Sequence, residues 1–309
     1  MRDCFIATLT ELAGKDPRLM LITGDLGFGV LDKFEKKFPK QYLNAGVAEQ
    51  NMTGIASGLG LEGWTVFTYS IANFPILRCL EQIRNDAAYH DVNVNIASIG
   101  GGFSYGALGF SHHATEDLAI MRALPNVCVV APSDLWEVSE ATKALASSHG
   151  VGYLRLDKSH AKTDTPNEKF ILGKARKLRE GNHLTLICCG GIMEETLVAA
   201  DQIKKDGFNC RVLSMHTIKP IDEEAIRSAC HETGGILTIE EHSIVGGLGS
   251  SVSEVILEGG FDCSVFYRIG LRKGFSTIVG SQKHLRKVYE MDADAIYKQA
   301  LSLIKKKGT

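Results

Sequence analysis

The chain has 309 residues, 44% hydrophobic and 23% charged, with a formal net charge of −2. That length predicts two domains with packed cores, and the near-neutral balance excludes the basic face of a nucleic-acid binder. No apolar run approaches the roughly 20 residues that cross a membrane, so neither nucleic acid nor membrane is an expected partner. The start, Met1-Arg2-Asp3-Cys4-Phe5, leads into no long apolar segment, and no signal peptide is expected. Eight scattered cysteines, none spaced C-x-x-C, fit reduced thiols in a cytoplasmic protein.

In chain order, residues 1–20 read as a helix, since Phe5, Leu9, Leu12 and Ala13 recur at helical spacing. Leu19 to Thr23 is a short apolar run, as in a buried parallel strand. Gly24-Asp25-Leu26-Gly27-Phe28-Gly29 lacks G-x-G-x-x-G spacing and reads as a strand-to-loop turn. An extended run at Tyr42 and Leu43 meets a helical run from Val47 to Leu59. Glu49 sits at that junction, the one acid among small and apolar neighbours. Trp64 to Tyr69 is β-rich, and Pro75 suits the first turn of a helix reaching about Tyr89. A strand at Asn93 to Ile99 precedes a glycine-rich, aromatic-studded loop, Gly100 to Gly109, expected to be flexible. Ser111-His112-His113-Ala114-Thr115-Glu116-Asp117 closes that loop and opens a helix. Cys128 to Asp134 reads as strand, turn and helix cap, and Gly152 to Leu156 as the last strand of this half.

The composition shift across residues 158–172 marks a linker. Beyond it, strands at Leu184–Cys189, Arg211–Met215, Ile236–Glu240 and Ser264–Ile269 alternate with helices near Glu194–Asp206, Glu223–His231, Ser250–Glu258 and Ala293–Ile304. Such alternation predicts an α/β class with two domains of mainly parallel sheets flanked by helices. The closing Lys305-Lys306-Lys307 reads as a frayed, solvated terminus.

Four places carry candidate chemistry. Glu49 is either a first-turn charge, worth about 0.3–1 kcal/mol against the helix dipole, or a buried functional acid; pattern alone favours the first. His112 and His113 are sequence neighbours and do not share a helix face, so they make no metal pair. One of them can reach a ligand crevice from a loop after a strand. Arg155, a charge inside an apolar strand, needs a partner: either Asp157 on the same face or an anionic substrate group. Phe74, beside Asn73 at a strand-to-helix junction, is either core or a platform for a flat cofactor ring. Phosphate-loop, nucleophile-elbow and zincin motifs are all absent.

Asn44-Ala45-Gly46-Val47-Ala48-Glu49-Gln50-Asn51 resembles the pyrimidine-binding half of transketolase-type thiamine diphosphate enzymes. Ser70-Ile71-Ala72-Asn73-Phe74 is similar to the family's aromatic segment. Leu80 to Asn85, Ser111 to Leu118 and Met121 to Asn126 are similar to the next helix and the substrate-histidine motif. Ala131-Pro132-Ser133-Asp134 and Glu240 to Ser250 extend the likeness, which runs from about residue 3 to 305. It implies a pyrimidine-binding domain at 1–162, a linker at 163–172 and a transketolase C-terminal domain at 173–309. The family's diphosphate-binding domain, with its Gly-Asp-Gly and later Asn, has no counterpart here. The chain thus resembles the C-terminal subunit of a split transketolase.

The resemblance implies roles residue by residue. Glu49 matches the glutamate that hydrogen-bonds the aminopyrimidine N1′ of the cofactor, a role favoured by a dry pocket that keeps the acid protonated. Phe74 matches the aromatic stacked on that ring, and Ile71 stands where relatives place a second aromatic. His112, with His113 beside it, matches a substrate-contacting histidine; Arg155 matches an arginine that binds a sugar phosphate. Metal ligands for Mg are expected on the partner, an N-terminal diphosphate-binding subunit, within an α2β2 assembly. Gly100 and Leu108 depart from a histidine and an acid in relatives. Their loss implies a wider, more apolar pocket and a substrate outside the usual pentose-phosphate set. The activity implied is transfer of a two-carbon ketol unit from a ketose (or its phosphate) to an aldehyde. The alternatives are a β-type subunit of a 2-oxo-acid decarboxylating synthase or dehydrogenase, and a non-catalytic scaffold. Retention of Glu49, Phe74 and His112 speaks against the last.

Overall fold

The computed structural model describes residues 1–163, 168–272 and 274–307; the expected linker therefore lies partly outside the described residues. Twelve strands are described: β1 (Leu19–Thr23), β2 (Tyr42–Asn44), β3 (Thr65–Ile71), β4 (Val94–Ile99), β5 (Val127–Val130), β6 (Val151–Leu156), β7 (Arg176–Arg179), β8 (Leu184–Cys188), β9 (Cys210–Ser214), β10 (Thr217–Lys219), β11 (Ile236–Ser243) and β12 (Phe266–Leu271). They form a seven-stranded sheet ordered β10-β5-β6-β4-β3-β1-β2 and a five-stranded sheet ordered β12-β11-β8-β9-β7. β1 to β6 pair in parallel, as do β8 with β9 and β11 with both β8 and β12. The fold is α/β, with mainly parallel sheets flanked by helices.

Burial explains the run-like sequences. Every residue of β4, β6, β8 and β9 is buried, because helices cover both faces of such sheets. At about 25 cal/mol per Å² of apolar surface, these fully buried strands stabilise the sheets more than their hydrogen bonds do. The edge strands β2 and β7 are short and polar, which blunts them against pairing with other chains.

Three local expectations change. The first helix is Arg2–Ala13, not residues 1–20; it ends before Asp16 and Pro17 lead into β1. The segment after Pro75 is not one helix. It breaks into Phe74–Leu77 and Leu80–Gln82, with Cys79 between them at φ −112°, ψ 10°, and then widens into an i→i+5 turn over Ile83–Ala88. The lysines expected to fray belong to the helix Ala293–Lys307.

β10 was not foreseen. It lies in the second half of the chain yet pairs antiparallel with β5, completing the first sheet. Thr217 registers with Val130, across a sequence separation that local patterns do not reveal.

Candidate active site

The Glu49 turn, the Phe74 corner and the Gly100 loop follow β2, β3 and β4. These strands are parallel and joined through β1 and β3, so all three features leave the carboxyl edge of one sheet. Crevices outside that edge are where open α/β sheets bind ligands.

Glu49 is the first residue of the helix Glu49–Leu61 and is 4% exposed. Gly46, at φ +74°, supplies the left-handed turn that leads into it. The Gly24 backbone passes alongside, where an added Cβ would stand 3.5 Å from Glu49 Cγ. The two sequence readings of Glu49 therefore coexist: the carboxylate is a first-turn charge and also a nearly buried acid. Its Oε1 accepts from Arg78 Nη1 at 2.8 Å.

Arg78 links Glu49 to the Phe74 ring, its guanidinium carbon lying 4.4 Å from the ring centroid. The Phe74 ring in turn meets His112 edge-on, with centroids 5.2 Å apart and planes at 69°. Asn73 fixes this corner. Its Nδ2 donates to the Ser111 carbonyl at 3.1 Å and to the His113 carbonyl at 2.8 Å. Glu49, Phe74 and His112, drawn from three stretches of sequence, thus form one continuous cluster. Ile71 is half-buried at the end of β3, just before this corner. Burial, and then the neighbouring His113, lower the His112 pKa below 6.5, so its imidazole is neutral at pH 7.

The first half of the loop from Gly100, expected to be flexible, is packed. Gly100 to Ser104 are buried, with Phe103 fully so. Gly100 sits at φ +94°, and an added Cβ would stand 2.1 Å from the Tyr105 ring. Tyr105 therefore fills the space that a side chain at 100 would take, and the expected widening there does not occur. Leu108, by contrast, is 57% exposed. At Gly102 an added Cβ would stand 2.3 Å from the Glu241 carboxylate, so the loop lies directly on the second domain.

His113 and Arg155 stand apart from the cluster. His113 is buried, with Nδ1 2.6 Å from Ser276 Oγ and Nε2 3.1 Å from the Gly106 carbonyl. Nε2 must donate to that carbonyl, so the ring is committed to holding loop and second domain together. His113, expected beside substrate, is placed between the loop and the second domain.

Arg155 is fully buried. Its Nε lies 3.0 Å from Asp117 Oδ2, an ion pair without hydrogen-bond alignment, and 4.0 Å from Asp157 Oδ1. Its Nη2 donates to the Ala114 and Glu241 carbonyls at 3.2 and 2.9 Å. Burial alone would lower its pKa, but the two carboxylates outweigh burial and hold it above the ordinary arginine value. The partner expected at Asp157 is real but secondary to Asp117. With 0% of its side chain exposed, Arg155 braces the domain interface.

Arg78, Asn73 and Tyr105 were missed as site residues. An arginine at the end of a short helix reads as a solvated charge, and nothing local in sequence distinguishes it. Among the described residues, no three His, Cys, Asp or Glu side chains group as metal ligands. No helix among them is long and apolar enough to cross a membrane.

This arrangement gathers an acid, an aromatic ring and a histidine at the carboxyl edge of one sheet. The family model of the transketolase pyrimidine binding domain matches residues 1–163, and that of the transketolase C-terminal domain matches residues 173–296. The chain belongs to the transketolase family, whose members use thiamine diphosphate. It is 37% identical over 308 residues to one of the subunits of apulose-4-phosphate transketolase from Phocaeicola vulgatus, covering 99% of this chain and 97% of the relative. It is 34% identical over 311 residues to the SqwH subunit of 6-deoxy-6-sulfo-D-fructose transketolase from a Clostridium species, covering 100% and 95%. A solved structure described as a split gene transketolase, inactive β4 tetramer, superposes with a TM-score of 0.87 at 32% identity, covering 98% of this chain and 97% of that one. In sequence, length and fold the chain is similar to the C-terminal subunit of a split transketolase.

Proposed function

We propose that this chain is the C-terminal subunit of a two-subunit transketolase that moves a two-carbon ketol unit from a ketose, or its phosphate, to an aldehyde. The observation that carries this reading is the cluster in which a nearly buried Glu49 carboxylate is joined to the Phe74 ring and His112. A carboxylate beside a half-buried aromatic face fits a flat, amine-bearing ring such as aminopyrimidine, which needs one polar edge contact and one stacking surface. When bound, thiamine diphosphate supplies the thiazolium carbon at which the ketose carbon–carbon bond is cut and remade.

This chain's part is positioning. Glu49 shares a proton with the edge of the aminopyrimidine ring, Phe74 holds the ring's face, and Ile71 completes the apolar wall. His112, neutral at pH 7, donates or accepts at substrate oxygens. Ligands for Mg and the diphosphate belong on a separate N-terminal subunit, in an α2β2 assembly placed in the cytoplasm. Leu108, apolar and exposed where relatives place an acid, favours a sugar outside the pentose-phosphate set. The relatives named for apulose-4-phosphate and 6-deoxy-6-sulfo-D-fructose support the same view.

The test is Glu49→Gln in the complex co-expressed with its partner. Turnover dependent on thiamine diphosphate should fall at least about 10²-fold; unchanged turnover overturns the assignment.

A further inference from the structure

We infer that Arg78 is a placeholder for the cofactor ring: it occupies both contact surfaces of the half-site and must swing out before the ring can bind. This rests on the half-site reading above. The guanidinium is flat, cationic and edged with N–H donors. It sets one nitrogen 2.8 Å from Glu49 Oε1 and its central carbon 4.4 Å from the Phe74 centroid. A flat heterocycle with an N–H edge would seek those two groups in the same two ways. One side chain thus meets both needs of the site.

Three features mark it as a movable occupant and not a strut. The Arg78 side chain is half-exposed, at 50%, while that of Glu49 is 5% exposed, so the arginine closes the cluster on its open side. It stands between the short helices Phe74–Leu77 and Leu80–Gln82, where no continuous helix fixes it. Its partners are Glu49 and the Phe74 face, so swinging out breaks a single ion pair and one ring contact, both of which an incoming ring would replace. By comparison, Arg155 and Arg176 are buried and each faces two or more carboxylates. The placeholder also explains how Glu49 stays compensated in a chain without its ligand, since a nearly buried carboxylate needs a partner.

A half-exposed ion pair and one cation–π contact are each weak. Together they suppress ring binding about tenfold, by lowering the fraction of chain with a free site. The experiment measures binding of thiamine and of 4-amino-2-methylpyrimidine to the purified chain by titration calorimetry and ligand-observed NMR. Neither probe carries a diphosphate, so neither needs the diphosphate ligands proposed for the partner subunit. Arg78→Met should bind both probes about tenfold more tightly than wild type. Arg78→Lys, which keeps the charge but loses the flat plane, should fall between. Adding Phe74→Ala to Arg78→Met should erase the gain. Equal or weaker binding by Arg78→Met, or a gain that survives loss of Phe74, overturns the placeholder. If probe binding then still depends on Glu49 and Phe74, the half-site stands without it. Binding indifferent to both Glu49→Ala and Phe74→Ala sinks the half-site itself, and the placeholder with it.

Discussion

At the scale of single residues, environment decides role more than identity does. His112 and His113 are sequence neighbours, yet one lies against the Phe74 ring and the other is locked between loop and second domain. Because burial lowers the His112 pKa from 6.5, the acid limb of kcat/KM in the assembled enzyme should lie below the ordinary histidine range. His112→Asn should remove that limb and lower kcat/KM by about 10²-fold. A limb left in place would show that another group titrates. Glu49, Phe74 and His112 were picked out by the resemblance because each sits in a contiguous stretch, and the fold gathers the three into one cluster. Arg78 was not, because its contact to Glu49 crosses from one element to another and leaves no local trace. Arg155 was legible in part: its place inside an apolar strand called for a partner, but Asp117, the nearer carboxylate, lies too far along the chain to be seen.

At the scale of elements, legibility followed hydrophobic runs. β1, β4, β6, β8, β9 and the first half of β11 announce themselves as mainly apolar stretches, since both faces are covered. The charged edge strand β7 and the three-residue β10 do not, because their identity comes only from distant partners. β7 also carries a clasp between the two domains. Arg176 Nη1 donates to Asp134 at 2.9 Å and Glu137 at 2.6 Å, and its guanidinium stacks 4.4 Å from the Trp136 ring. Asp134 at the same time caps the helix Leu135–Ser147 by accepting from Glu137 N. Arg176→Met should leave two buried carboxylates uncompensated and cost roughly 3–5 kcal/mol. Arg176→Lys, keeping the charge, should cost less. Denaturant midpoints would show this order, and equal midpoints for all three chains would refute the clasp.

At the scale of the whole molecule, the domain interface is built on buried charge. Asp117, Asp157, Glu240 and Glu241 face Arg155, Arg286, Tyr153 and His242 there. Burial raises the Asp157 pKa above 3.8 despite the opposing pull of Arg155, and burial likewise raises that of Glu240. A carboxyl with a raised folded-state value favours folding at low pH, and that contribution is lost as pH climbs through the folded value. Stability should therefore fall through these groups as pH rises above the ordinary aspartate value of 3.8. Asp157→Asn cannot ionise, so in denaturant titrations its stability should fall less steeply over that rise than wild type's. A parallel slope would exclude Asp157 as a source. The interface could not be read from sequence, because its charges come from the Gly100 loop's neighbours, β6, β11 and the helix Gln282–Val288, far apart in the chain.

The crossing of β10 into the first sheet sets a limit on how this chain can be cut. Residues 1–162 read as a domain, but a gene fragment ending there would lose the strand that covers β5. Its product would carry a bare sheet edge, open to pairing with other chains. A fragment extended through Lys219 would keep the edge covered but would carry β7, β8 and β9 without β11 and β12. Neither product should be monomeric by light scattering, whereas two separately folding domains would each give a monomer. Through β10, the second half of the chain closes an edge of the first sheet, so the two halves share one sheet as well as one interface.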